Sequence, residues 1–134
     1  IATPKALKRH RQNGRRTYDP SKKDKNNFKL LANRHKPKYP ITEPIRMNLE
    51  FAMPRPKTHY RQGKFEGILK DNIPQFYTKT PDVDNLAKLV LDSIAGDDGF
   101  FIDDKQVVEL NCIKRYIEQG EKPKTIVMID YYER

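Results

Sequence analysis

The chain has 134 residues, with 27 Lys and Arg against 18 Asp and Glu and a formal charge of +9. That length supports one domain with a modest core. The charge points to a polyanionic partner, nucleic acid ahead of an anionic membrane: no apolar run is long enough to span a bilayer, no basic amphipathic helix carries an aromatic face, and no segment reads as a secretory signal.

Residues 1 to 20 are basic and irregular, with Lys5, Lys8, Arg9, Arg11, Arg15 and Arg16 around Gly14. Gly14 is a turn signal, and 15–18 reads as a short strand leaving it. The segment is either a solvated terminus or a basic arm or hairpin that grips phosphates. Residues 20 to 36 predict a helix starting at Pro20 or Ser21, with Phe28, Leu31, Ala32 and His35 on a packed face and Lys22, Lys25, Lys29 and Asn33 opposite. Pro37 and Pro40 end it. Residues 44 to 53 give the clearest strand, because Ile45, Met47, Leu49, Phe51 and Met53 alternate with Arg46, Asn48 and Glu50.

Residues 54 to 80 form an unusually long connection, rich in Pro, Gly, Lys and Arg. Such connections tend to be functional or disordered, and part of this one is expected to be mobile without ligand. Within it, 75–79 reads as a short strand. A helix is predicted from about Asp84 to Ala95, followed by a Gly96–Gly99 turn, the apolar run 100–102 and the pair Asp103-Asp104. A calcium loop fails on spacing. Strands are expected over 106–116 and 125–132, joined as an antiparallel hairpin through Gly120–Pro123, with the continuous apolar run 126–129 suited to a more central strand. Cys112 cannot form an internal disulfide. In its strand pattern it reads as a buried reduced thiol of a cytoplasmic protein.

The chemistry concentrates in Pro81-Asp82-Val83-Asp84-Asn85-Leu86-Ala87-Lys88 and its continuation to Asp92. Asp82 and Asp84 sit two apart, on one side of an extended lead-in to the helix. Asn85, Lys88 and Asp92 share a helix face away from Leu86, Leu89, Val90 and Ile94. Singly, each acid has a structural explanation: Asp84 as an N-cap or an i, i+4 partner of Lys88, Asp92 as a solvated residue, Asp103 and Asp104 as turn residues. Together, carboxylates in a basic protein repel one another unless a divalent cation neutralises them. Oxygen ligands without a Cys or His set favour Mg²⁺ or Mn²⁺. A nearby lysine would offset charge developing on a phosphate, as metal-assisted phosphodiester hydrolysis requires.

The acidic segment, then Leu91-Asp92-Ser93-Ile94, then Ile102-Asp103-Asp104-Lys105-Gln106-Val107-Val108, resembles the signature of the RusA family of Holliday junction resolvases. Pro4-Lys5 and Gly14-Arg15-Arg16-Thr17-Tyr18 with Pro20 resemble that family's basic N-terminal segment. The resemblance implies an α+β domain and a Mg²⁺-dependent endonuclease that acts as a homodimer on four-way DNA. It assigns Asp82, Asp84 and Asp104 to the metal and Lys88 to catalysis. Aligning the Asp-Asp-x-Gln-Val segment selects Asp104 over Asp103. It also implies a prophage-type, bacterial or phage origin. The chain departs from compact members in its longer 54–80 connection and in an opening strand that is absent or cut short.

The expectation is therefore one α+β domain spanning residues 1–134, a mixed sheet covered by two helices. It would nick a junction symmetrically, one strand per subunit, leaving 5′-phosphate and 3′-hydroxyl ends. Asn85, Asp92 and Asp103 would orient the ligands and lysine. Lys5, Lys8, Arg9, Arg11, Arg15 and Arg16, with the loop lysines, would hold phosphates. Two other readings stand: a non-catalytic basic module binding DNA or RNA, and a broader structure-selective nuclease on the same fold.

Overall fold

The computed structural model describes residues 4–5, 11–13, 16–18 and 21–133. Strands β1 (Arg11–Asn13) and β2 (Arg16–Tyr18) pair antiparallel, with Arg11 opposite Tyr18 and Asn13 opposite Arg16. The basic arm therefore contains a hairpin. Lys8, Arg9, Gly14 and Arg15 lie outside the described residues.

Helix α1 (Lys22–Ala32) runs on into a 3-10 turn at Asn33–His35. Its buried stripe is only Phe28 and Ala32; Leu31 and His35, expected to pack, are exposed. The lysine face is only partly solvated. Lys29 Nζ reaches Asp98 Oδ1 at 3.3 Å, and Lys36 Nζ donates to the Asp98 carbonyl at 2.9 Å.

Strand β3 (Ile45–Met53) is the axis of the molecule. Its alternation places Ile45, Met47, Leu49 and Phe51 in the core, each at most 2% exposed. There they meet Phe28 and Ala32 of α1 and Leu86, Leu89, Val90 and Ile94 of α2 (Val83–Ile94). Both helices therefore cover one face of a three-stranded mixed sheet, in the α+β arrangement expected.

Strand β4 (Val107–Tyr116) lies parallel to β3 on one side, and β5 (Lys124–Tyr131) lies antiparallel on the other. The predicted hairpin between the last two strands is thus wrong. Both pair with β3, and residues 117–123 pass from one sheet edge to the other, the Ile117 amide bonding the Met53 carbonyl at 3.0 Å. Two strand spacings are about 10 Å, within reach of seven residues. The apolar run 126–129 is an edge, not a centre, and Met128 is 56% exposed. The centre goes to β3 because its residues 51–53 are buried in succession, whereas β5 buries only Thr125 fully.

On the open face of the sheet the charged residues are paired, beside the exposed Ile113 and Met128. Arg46 binds Asp130 at 2.6 Å and sits 3.7 Å from Glu109. Asn111 donates to Asn48 at 3.1 Å. Arg115 binds Glu50 at 2.5 Å and forks onto Glu121 at 2.6 and 2.8 Å.

The 54–80 connection folds against the body. It has 3-10 turns at Lys57–His59 and Gly63–Phe65 and an antiparallel bridge between Tyr60 and Leu69. The expected strand at 75–79 is a single bridge, Phe76 opposite Arg115 on the outer edge of β4. After α2 the chain reverses tightly: Gly99 N–H donates to the Gly96 carbonyl and Phe100 N–H to the Ile94 carbonyl. A Cβ at Gly99 would overlap the Ile94 carbonyl oxygen. Only glycine fits there, and the reversal delivers Asp103 and Asp104 beside the C-terminal half of α2.

Candidate active site

Helix α2 begins one residue earlier than the sequence predicts. Asp82, not Asp84, occupies the N-cap position, extended at φ −69 and ψ 149. Its carbonyl accepts the first helical bond, from Leu86 N–H at 3.2 Å. Its carboxylate makes no capping hydrogen bond. Asp84 lies in the first turn, and the Asp84–Lys88 ion pair open to it is not formed. The capping explanation for Asp84 therefore fails, and the residue that does occupy the N-cap, Asp82, makes no side-chain cap either. Asp82, Asp84, Asn85 and Lys88 are all exposed, while Leu86, Ala87, Leu89 and Val90 face the core. Residues 84, 88 and 92 recur every four positions, a stripe about 12 Å long on the solvent side.

The far end of the stripe opens on a cleft of about 390 Å³ lined by Lys25, Asp92, Gly96, Ile102, Asp103 and Asp104. Asp92 meets Lys25 of α1 at 3.7 Å rather than Lys88. Lys25 is a residue that sequence reasoning left on a solvated face; an ion pair between two helices has no signature in either helix alone.

The two neighbouring aspartates have different tasks. Asp103 starts the 3-10 turn Asp104–Gln106 and accepts the Lys105 N–H at 2.9 Å. Gln106 completes the box, accepting the N–H groups of Ile102 and Asp103 at 2.9 Å each and donating to the carbonyls of Ile41 and Glu43. The Lys105 amide bond, with the adjacent Asp104 carboxyl and the Lys105 charge, holds the Asp103 carboxyl below its ordinary range. Asp103 is thus committed to the turn. Asp104 is exposed beside it, with no such backbone bond.

The family model for endodeoxyribonuclease RusA matches residues 2–130. The chain belongs to the RusA family. It is also similar to the uncharacterized protein YqaN of Bacillus subtilis (strain 168), at 35% identity over 100 residues, 75% of this chain and 66% of that protein. The match thus spans just under two thirds of that relative's length.

In this RusA chain the acidic motif is held by a group the sequence did not reveal. Lys114 of β4 donates its ammonium to the carbonyls of Lys79 at 2.7 Å and Pro81 at 2.8 Å, immediately before Asp82. The same ammonium lies 5.2 Å from the Tyr77 ring centre, and Tyr77 hydroxyl donates to the Thr80 carbonyl at 2.7 Å. Tyr77 N–H bonds the Lys114 carbonyl at 3.2 Å, and Tyr116 N–H bonds the Gln75 carbonyl at 2.9 Å. Residues 75–81 form a strap tied down at both ends, and the lysine fixes where α2 starts. A lysine in a strand's alternation, bonded to carbonyls more than 30 residues upstream, leaves no local pattern to find.

Cys112 is half-buried, and burial pushes its thiol pKa up, as suits a packed thiol. No described helix is long and apolar enough to cross a membrane. Among the described residues, no three of His, Cys, Asp and Glu converge closely enough to hold a metal ion. The donor chemistry nonetheless fits a hard divalent cation. Asp82, Asp84 and Asp104 are exposed carboxylates, and none takes part in an ion pair among the described residues. Lys5 is exposed, and Arg11 and Arg16 lie in the arm's hairpin.

Proposed function

We propose that this RusA-family chain is a Mg²⁺- or Mn²⁺-dependent endodeoxyribonuclease that resolves Holliday junctions, a homodimer making one nick per subunit in opposing strands. The observation that carries the reading is the RusA match over residues 2–130 on a fold that leaves three of the motif's acids, Asp82, Asp84 and Asp104, outside any ion pair among the described residues. Asp82 caps nothing, and Asp84 and Asp104 pair with no cation among the described residues.

Asp82, Asp84 and Asp104 would hold the cation, which when bound supplies Lewis-acid activation of water and phosphate. Asp82 and Asp84 stand at the N-terminal end of α2, where the helix dipole attracts an anionic group. Lys88, one turn further on, would place its ammonium against charge building on the phosphate in the transition state. Asn85, between these residues on the exposed side, can orient a ligand oxygen. Asp103 and Gln106 fix the turn that presents Asp104. Asp92, held by Lys25, closes the cleft wall. The arm residues Lys5, Lys8, Arg9, Arg11, Arg15 and Arg16 would bind phosphates in a salt-dependent way.

The test is cleavage of a labelled four-way junction beside a linear duplex, with Mg²⁺ and with EDTA. Paired, ligatable nicks only on the junction and only with Mg²⁺ support resolution. Cutting of both substrates transfers the same site to a broader nuclease. Tight binding without cutting under any divalent metal returns the acids to a structural role.

A further inference from the structure

The 54–80 connection carries six Lys and Arg and only two acids. Its central part is a built hairpin. Arg61 N–H bonds the Ile68 carbonyl at 2.7 Å, and Lys70 N–H bonds the His59 carbonyl at 2.9 Å. Gly63 and Gly67, at φ +67 and +85, shape the tip between them. The hairpin is bolted to the end of β4 and to the segment that follows it. Gln119 donates to the Gly67 carbonyl at 2.9 Å and accepts Leu69 N–H at 2.8 Å. Arg55 donates to the Ile117 carbonyl at 2.6 Å and the Pro74 carbonyl at 3.0 Å, and His59 packs edge-on against Tyr116.

On this pedestal Phe65 stands 51% exposed, with the Lys64 ammonium 6.0 Å from its ring centre. The ring fills no core. Arg61 pairs with Asp71 at 3.4 Å, whereas Lys57, Lys64 and Lys70 take part in no ion pair among the described residues. Cations beside a free aromatic face are the parts with which proteins hold an unstacked base and its phosphates. The positive charge opposes docking of a second copy through the same tip. A linear duplex hides its base faces in the stack, whereas a branch point can offer one.

Resting on the reading of this chain as a nuclease of branched DNA, we propose that the 57–70 hairpin is a substrate-recognition element in which Phe65 stacks on an unstacked base at the branch point while Lys57, Lys64 and Lys70 hold the flanking phosphates. The chain contains no Trp, so Phe65→Trp supplies a unique fluorophore. Titration is done in EDTA, with a four-way junction and with a duplex of the same sequence. The junction should quench the indole emission of the Phe65→Trp variant strongly, and the duplex should leave it nearly unchanged. Phe65→Ala should weaken junction binding at least about fivefold and duplex binding less than about twofold. Indole emission that ignores the junction, with Phe65→Ala binding and cutting it like wild type, overturns the hairpin's role and leaves the nuclease reading standing. Equal weakening on both DNAs also overturns it, reducing Phe65 to support of a non-specific surface. A wild-type protein that neither binds nor cuts the junction overturns both.

Discussion

Two charged regions of this molecule are built oppositely. On the open face of the sheet nearly every charge is answered: Arg46 by Asp130 and Glu109, Arg115 by Glu50 and Glu121. On the exposed side of α2, Asp82, Asp84 and Lys88 stand within seven residues and pair with nothing among the described residues. The first arrangement stabilises a fold. The second leaves charge available to an external ligand. Composition cannot distinguish them, because both use the same residue types. The distinguishing observation is whether the fold itself consumes the charge.

The largest effect that could break this comparison is at the unspent acids. Asp84→Asn should lower junction cleavage by roughly a thousandfold while keeping the melting temperature and junction binding. Loss of folding with activity would place Asp84 among the consumed charges. Asp104→Asn should approach that loss of cleavage with little change in melting temperature. Asp103→Ala should instead lower the melting temperature, because it removes the acceptor for Lys105 N–H. A reversal of this order would exchange the two aspartates' roles.

Next comes the strap. Lys114→Met should cut the cleavage rate by about 10- to 100-fold and raise the Mg²⁺ concentration giving half-maximal rate, with the circular dichroism spectrum retained. An unchanged Mg²⁺ requirement would separate the strap from the motif.

On the consumed side, Arg115→Met removes the guanidinium from Glu50 and leaves Glu121 with only Lys124 at 3.6 Å and the Glu118 N–H. It should lower the melting temperature by at least about 5 °C. The hydrogen bond from Arg115 pulls the Glu121 carboxyl from its ordinary 4.5 down to about 2. Its folded pKa lies below the unfolded one, so its stabilisation is complete above about pH 4.5 and is lost as pH falls toward 2. The melting-temperature gap between wild type and Glu121→Gln should therefore close across that interval. A gap independent of pH would show that the pair contributes through packing alone. The smallest effect is expected at Arg46→Ala, on the solvated rim, where the melting temperature should stay within about 2 °C. A larger drop would mean that the open face is more than a solvated network.

Much of this architecture was legible in the sequence, and the rest was not, for identifiable reasons. The alternation over Ile45–Met53 and the i, i+3, i+4 stripe from Leu86 to Ile94 are set by burial of one face, which writes itself into the residue order. The family also showed in the spacing of Asp82, Asp84, Lys88, Asp103 and Gln106. Strand order was misread because pairing of β4 and β5 with β3 depends on which strand is buried most completely, a property of the assembled sheet. Lys114 and Lys25 were missed because their partners are distant in sequence. The helix start fell earlier than expected, moving the N-cap two positions from Asp84 to Asp82, whose carboxylate makes no cap.

The connection between β3 and β4 is parallel, so the chain must travel back along the sheet before it can pair again. A return path of that kind is needed whatever it carries. Closing a longer flexible loop costs only about 0.6 kcal/mol per doubling of its length. The 57–70 hairpin hangs from this path, between a strand whose register is pinned by the core and a strap that sets the start of α2. Residues can therefore be gained or lost at its tip at small thermodynamic cost, with the acidic motif undisturbed. In evolutionary terms, the tip of this connection can drift in length and residue type independently of the acidic motif.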